Sequence, residues 1–108
     1  MHCYEAKIKK VLSGNLLELI IKFGFGITLQ VKVKIAHIDI LDNKKAKVFL
    51  KKIIEKETIL VTPVDDSKHS EHYEGTFIIN NGKALHELMI LEGVAEQKHG
   101  KTIKKAQR

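Results

Sequence analysis

Arginine is almost absent from this chain: of its nineteen basic residues only one is arginine, and it is the last, Arg108. Tryptophan is missing, proline occurs once at Pro63, and cysteine occurs once at Cys3. A single cysteine excludes an internal disulfide and a cysteine-pair metal site, so a stapled secreted scaffold is ruled out and Cys3 reads as a free thiol. No apolar run approaches the roughly 18–20 residues a membrane-spanning helix needs. The longest stretches, such as Leu19-Ile20-Ile21, are soon broken by charge. Met1-His2-Cys3-Tyr4-Glu5 lacks the basic-then-apolar order of a signal peptide, which predicts a cytoplasmic protein.

What is present is a lysine-rich chain of one-domain size. Its 108 residues are 44% hydrophobic and 30% charged, enough for one modest core. The net charge is +6, unevenly spread. In the segment 65–74, Asp65, Asp66, Glu71 and Glu74 face only Lys68, a net of −3, which leaves +9 on the rest of the chain. Such an excess favours polyanionic partners through a long-range, salt-dependent field.

The apolar periodicity changes along the chain. Residues 4–11 alternate, with Ala6 and Ile8 on one face and Lys7 and Lys9 on the other, and read as a half-buried strand. Ser13-Gly14-Asn15 is a turn, Leu16 to Phe23 a second strand, and Gly24-Phe25-Gly26 a tight reversal. Ile27, Leu29, Val31, Val33 and Ile35 then alternate with Thr28, Gln30, Lys32 and Lys34, predicting a third strand with one apolar face. Ala46, Phe49, Leu50, Ile53 and Ile54 fall at helical spacing behind Asp42 or Asn43 as a cap. Residues 58–63 predict a fourth strand ending at Pro63, 64–72 a polar loop, and 76–79 a fifth strand before the turn at 80–82. Leu85, Leu88, Met89 and Ile90 or Leu91 predict a second helix stopped by Gly93. The expected fold is α+β and mainly β: an OB-type, five-stranded antiparallel barrel over residues 1–95 with two or three packed helices. A basic tail or short frayed helix follows at 96–108.

The stretch Ile8–Asp42, IKKVLSGNLLELIIKFGFGITLQVKVKIAHIDILD, resembles the opening of the staphylococcal nuclease (thermonuclease) family. That family runs strand, D-G-D-T turn, strand, a turn often written G-F-G, and a strand ending R-L-x-x-(I/V)-D-x-P-E. Leu85-His-Glu-Leu-Met-Ile-Leu-Glu-Gly-Val-Ala95 is similar to its N-x-x-L-(V/L)-x-x-G-x-A helix. The likeness spans about residues 6–95, and small phage-borne members share the G-F-G turn. The resemblance implies a nuclease-like barrel, and it also implies a degenerate site. Family members cleave phosphodiesters with Ca²⁺, two arginines and a carboxylate. Here the turn aspartate that ligates the metal is matched by Asn15, while the second carboxylate ligand is kept as Asp39. The glutamate is matched by Asp42, the first arginine by Lys34, and the second falls at Tyr73 or Gly75. No arginine precedes position 108. Lysine does not reproduce the two-pronged grip of arginine on phosphate, and one lost donor to a developing oxyanion costs about 10²–10³ in rate. A Ca²⁺ site with Asn15 in place of a carboxylate is expected to be weak if it forms at all, so no cofactor is expected.

Other candidates have plainer readings. His69 and His72 have zinc-like spacing but lack further ligands and read as solvated loop histidines. His37, placed on the face of Ile35 if the third strand continues, and His86 read as core-edge histidines. Phe23 and Phe25 read as turn packing, with base stacking as the other use. The leading expectation is a catalytically degenerate nuclease-fold module that binds DNA or RNA through lysines, with low sequence preference. Lys32 and Lys34 are its centre, flanked by Lys7, Lys9, Lys44, Lys47 and Lys51. Two alternatives are a phage-type protein-interaction module that occupies a host protein with the disused groove, and a weak metal-dependent nuclease.

Overall fold

The computed structural model describes residues 3–54, 58–69, 72–79 and 82–98. Its elements run β1 (Tyr4–Val11), β2 (Leu16–Gly24), β3 (Ile27–Ile35), β4 (Ile38–Ile40), α1 (Asn43–Ile54), β5 (Thr58–His69), β6 (His72–Ile78), α2 (Leu85–Glu92) and β7 (Ala95–Gln97). Five strands close a barrel in the order β1-β2-β3-β6-β5, and β4 pairs with β7 in a separate two-stranded sheet. The chain is therefore mainly β, with a closed five-stranded barrel and two helices among the described residues. None of those helices is long and apolar enough to cross a membrane.

Two expectations need correction. The barrel is not wholly antiparallel, because β3 and β6 run parallel where they meet, Val33 beside Tyr73, Lys34 beside Glu74 and Ile35 beside Gly75. The predicted loop 64–72 is mostly strand. Pro63 does not end β5, because the pairing with β6 is irregular between Pro63 and Asp65, and a ladder tolerates a residue without an N–H at such a site. β4 and β7 are too short, at three residues each, to leave a period in the sequence. They tie the chain to Gln97, past the boundary drawn at residue 95, and the basic tail from residue 99 lies outside the described residues.

The core follows the alternation. Ala6, Leu17, Leu19, Val33, Ile35, Ile59, Val61 and Phe77 point into the barrel and are buried. Ala46 and Leu50 of α1, with Leu85 and Met89 of α2, join the same buried core from helical positions four apart. Gly93, at φ +86, closes α2 in the left-handed region, its N–H bonded to the Ile90 carbonyl. The third-strand face is only partly core. Val33 and Ile35 are buried and Val31 half-buried, but Leu29 and Ile27 are 50% and 58% exposed. The β2–β3 ribbon runs on beyond the residues that pair with β6, and there Leu29 lines an open pocket with Tyr4, Phe23 and Tyr73.

Candidate functional site

The positions matched to nuclease chemistry are taken up by the fold. Gly14 is buried in the β1–β2 turn, and its N–H donates to Asn43 Oδ1 at 2.6 Å. The Asn15 carbonyl accepts from the Ile35 N–H at 2.8 Å, and Asn15 Oδ1 accepts from the Ser13 hydroxyl at 3.2 Å. Asp42 caps α1: its Oδ1 accepts from the Lys45 N–H at 3.2 Å and its carbonyl from the Ala46 N–H at 2.9 Å. Asn43, the other candidate cap, holds the turn instead. Asp39 lies on β4 directly opposite Glu96 of β7. Ca²⁺ takes six to eight oxygens. With Asn15 and Asp42 committed to turn and cap, and no cluster of three His, Cys, Asp or Glu among the described residues, this donor set does not fit calcium.

Lys34 is half-buried, opposite Leu16 on β2 and level with Glu74 on β6. The residue in register with Lys34 is the carboxylate Glu74, between the two positions matched to the second arginine, Tyr73 and Gly75. Tyr73 lines an apolar pocket at the barrel mouth. Gly75 is buried where a Cβ would come within 3.1 Å of the Thr62 carbonyl oxygen.

The other strand lysines share the outer face with Glu18. A bulge between Ile8 and Lys10 breaks the alternation of β1. Lys9 Nζ donates to Gln30 Oε1 at 3.3 Å, and Gln30 Nε2 donates to Glu18. Glu18 is paired with Lys10 on β1 and with Lys32 on β3. Lys7 is exposed opposite Ile20. The predicted centre, Lys32 and Lys34, therefore stands level with carboxylates at both positions, and Lys10 shares Glu18 with Lys32.

A different group of lysines converges. A groove of about 610 Å³ between β1 and α1 is lined by Ile8, Lys9, Lys10, Val11, Val48, Lys51 and Lys52, with no carboxylate among the described residues. Of the predicted residues it takes Lys9 and Lys51; Lys10 and Lys52 were missed. The bulge brings Lys10 in, and Lys52 shares a helix face with Lys44, Lys45, Val48 and Lys51 at spacings of one, four, seven and eight. Lys44 lines a second groove of about 450 Å³ on the other side of α1, together with Lys45, Lys52 and one carboxylate, Glu92. Lys47 is half-buried and lies off this face.

The aromatic and histidine candidates divide. Phe25 is fully exposed at φ +55 between Gly24 and Gly26, so it packs against nothing, while Phe23 meets Tyr4 edge-on at 5.7 Å. His69 and His72 are paired in the β5–β6 register, and the side chain of His69 lies outside the described residues. His37 is not a continuation of β3: it is exposed in a turn at φ +73. Its ring meets that of His86 edge-on at 5.5 Å.

His86 Nδ1 is buried without a hydrogen-bond partner among the described residues. Burial first, then the charge of His37, holds the His86 imidazole below its usual 6.5, against a smaller upward pull from Glu87. A histidine depressed in the fold contributes stability that is complete above about pH 6.5 and is lost as pH falls through the lowered value. His86→Leu is expected to flatten the acid limb of a melting-temperature profile between pH 7 and 5 relative to the parent; an unchanged slope would refute this. Cys3, also singled out in the sequence, is an exposed free thiol. No family model matches this chain, and comparison with curated proteins finds no match.

Proposed function

We propose that this chain is a barrel module that binds nucleic acid by its phosphates along the β1–α1 groove, without cutting it. One observation carries the reading: four lysines line a concave surface that, among the described residues, holds no carboxylate. Its floor of Ile8, Val11 and Val48 supports the lysine stems while their ammonium groups reach solvent. Lysine meets phosphate as a point charge, so the groove reads backbone and not base, and sequence preference is low. Lys7 and Lys32 extend the positive surface across the outer face of the sheet. The lack of cleavage rests on three features: no arginine before position 108, Glu74 beside Lys34, and a donor set short of a calcium cage.

The test is a salt titration against short fluorescent DNA and RNA in millimolar Ca²⁺. Four contacts to a single strand give a log–log slope of about −2.8, which is roughly a 50-fold loss of affinity between 50 and 200 mM salt. The oligonucleotide stays intact. Binding insensitive to salt, or cleavage that disappears with EDTA, would reject the proposal.

A further inference from the structure

β3 outruns its neighbour on one side. β2 pairs with it from Lys34 to Ile27, but β6 reaches only Val33, Lys34 and Ile35. Among the described residues, no strand pairs with the other edge of β3 between Ile27 and Lys32. Two hydrogen bonds identify the backbone groups on that edge. The Ile35 N–H donates toward β2, to the Asn15 carbonyl, and the Ala36 N–H donates toward β6, to the Gly75 carbonyl. Strand alternation therefore turns the N–H and C=O groups of Thr28 and Gln30 outward along the open edge, while those of Lys32 begin the side that β6 takes up at Tyr73. The flanking side chains Ile27 and Leu29 are both at least half exposed. An exposed edge with apolar side chains is a template for another strand.

We propose that this edge joins a second copy of the chain, β3 to β3 and antiparallel, about a twofold axis at Leu29. In that register Leu29 faces Leu29, Ile27 faces Val31 and Thr28 faces Gln30. Apolar side chains meet on one face and neutral polar ones on the other. No lysine meets a lysine, although each copy carries a net +6. Thr28 and Gln30 of the two copies exchange their outward N–H···O bonds. Leu29 occupies the closer, non-hydrogen-bonded position, where opposed Cβ atoms lie about 4.5–5.5 Å apart. The Gln30 side chain is engaged by Lys9 and Glu18 of its own chain, so the contact asks only for its backbone. The stretch from Ile27 to Val31 sets apolar against apolar and neutral polar against neutral polar when reversed, as an isologous interface requires, and a second copy is the partner this edge fits. The β1–α1 groove stays open in such a pair, and the dimer does not depend on nucleic-acid binding.

Sedimentation of the full chain without nucleic acid, over a wide concentration range, tests this. The expected mass is twice 12.3 kDa at the high end. Thr28→Pro removes an N–H that β2 does not use, and Leu29→Lys places charge against charge at the axis; each is expected to restore the monomer with an unchanged circular dichroism spectrum. Should the proline variant fail to fold, Leu29→Lys decides, since that side chain is half exposed. In a Cys3→Ser background, Leu29→Cys is expected to oxidise to a covalent dimer, while Thr28→Cys, opposed by Gln30, does not. A parent monomeric at every concentration, a dimer that survives Leu29→Lys, or a Leu29→Cys protein that does not cross-link would overturn the proposal.

Discussion

Reversing two charges in the β1–α1 groove, Lys9→Glu with Lys51→Glu, is expected to weaken binding to a short single strand about a thousandfold at low salt. Both side chains are exposed, so the change leaves the core intact. Each reversal deletes one attraction to phosphate and adds one repulsion, four unit interactions in all. At roughly 1 kcal/mol per unit charge in a solvated groove, that is about 4 kcal/mol, or 10³ in affinity. The log–log salt slope is expected to shrink by about 1.4, the share of two contacts. The companion variant, Lys32→Glu with Lys34→Glu, makes the comparison decisive. Lys32 already faces Glu18, and Lys34 lies level with Glu74, so their attraction for phosphate is partly cancelled in the parent. Its expected loss is nearer tenfold, about 1–2 kcal/mol. Equal losses in the two variants, or a larger one from Lys32 and Lys34, would move the binding face to the open sheet.

The contrast between these lysine pairs reflects what a sequence does and does not carry. Alternation in 27–35 and helical spacing in 46–54 are local properties, and both elements form where they predict. The barrel was legible for the same reason: each strand bears one apolar face that has to close on the others. Carboxylate neighbours were not legible. Glu18 stands 14 residues from Lys32 and Glu74 stands 40 from Lys34, and register alone brings each pair level. The bulge at Ile8–Lys10 was also hidden, because Lys-Lys-Val reads as continued strand whether or not a residue is left over. The same gap affected β3. Its apolar stripe is uniform in sequence, yet among the described residues β6 pairs only with Val33, Lys34 and Ile35, so one half is core and the other half is an unpaired edge.

Gly14→Ala is expected to destabilise the fold by about 2–4 kcal/mol, the largest stability loss we expect from a single added methyl group at a glycine. The cause is space and not backbone conformation. A Cβ at Gly14 would lie 2.7 Å from Asn43 Oδ1, 3.0 Å from the Ala46 Cβ and 3.2 Å from Ile40 Cγ2. Ala46 is fully buried on α1, so helix and turn cannot both keep their places. Overpacking of this kind costs about 1–3 kcal/mol. Moving the turn also stretches the bond from the Gly14 N–H to Asn43 Oδ1, worth about 1 kcal/mol. For a domain of this size the sum lowers the melting temperature by roughly 10–20 °C. Gly24 and Gly26 provide the control, because both have positive φ and nothing within 4 Å of an added Cβ. Alanine there meets strain without a clash and is expected to cost about 1 kcal/mol. Since the turn fixes where β1 ends relative to α1, Gly14→Ala is also expected to reduce binding at temperatures where the variant is still folded. A melting temperature within about 3 °C of the parent, less than 1 kcal/mol, would show that the turn is not clamped to the helix start as described.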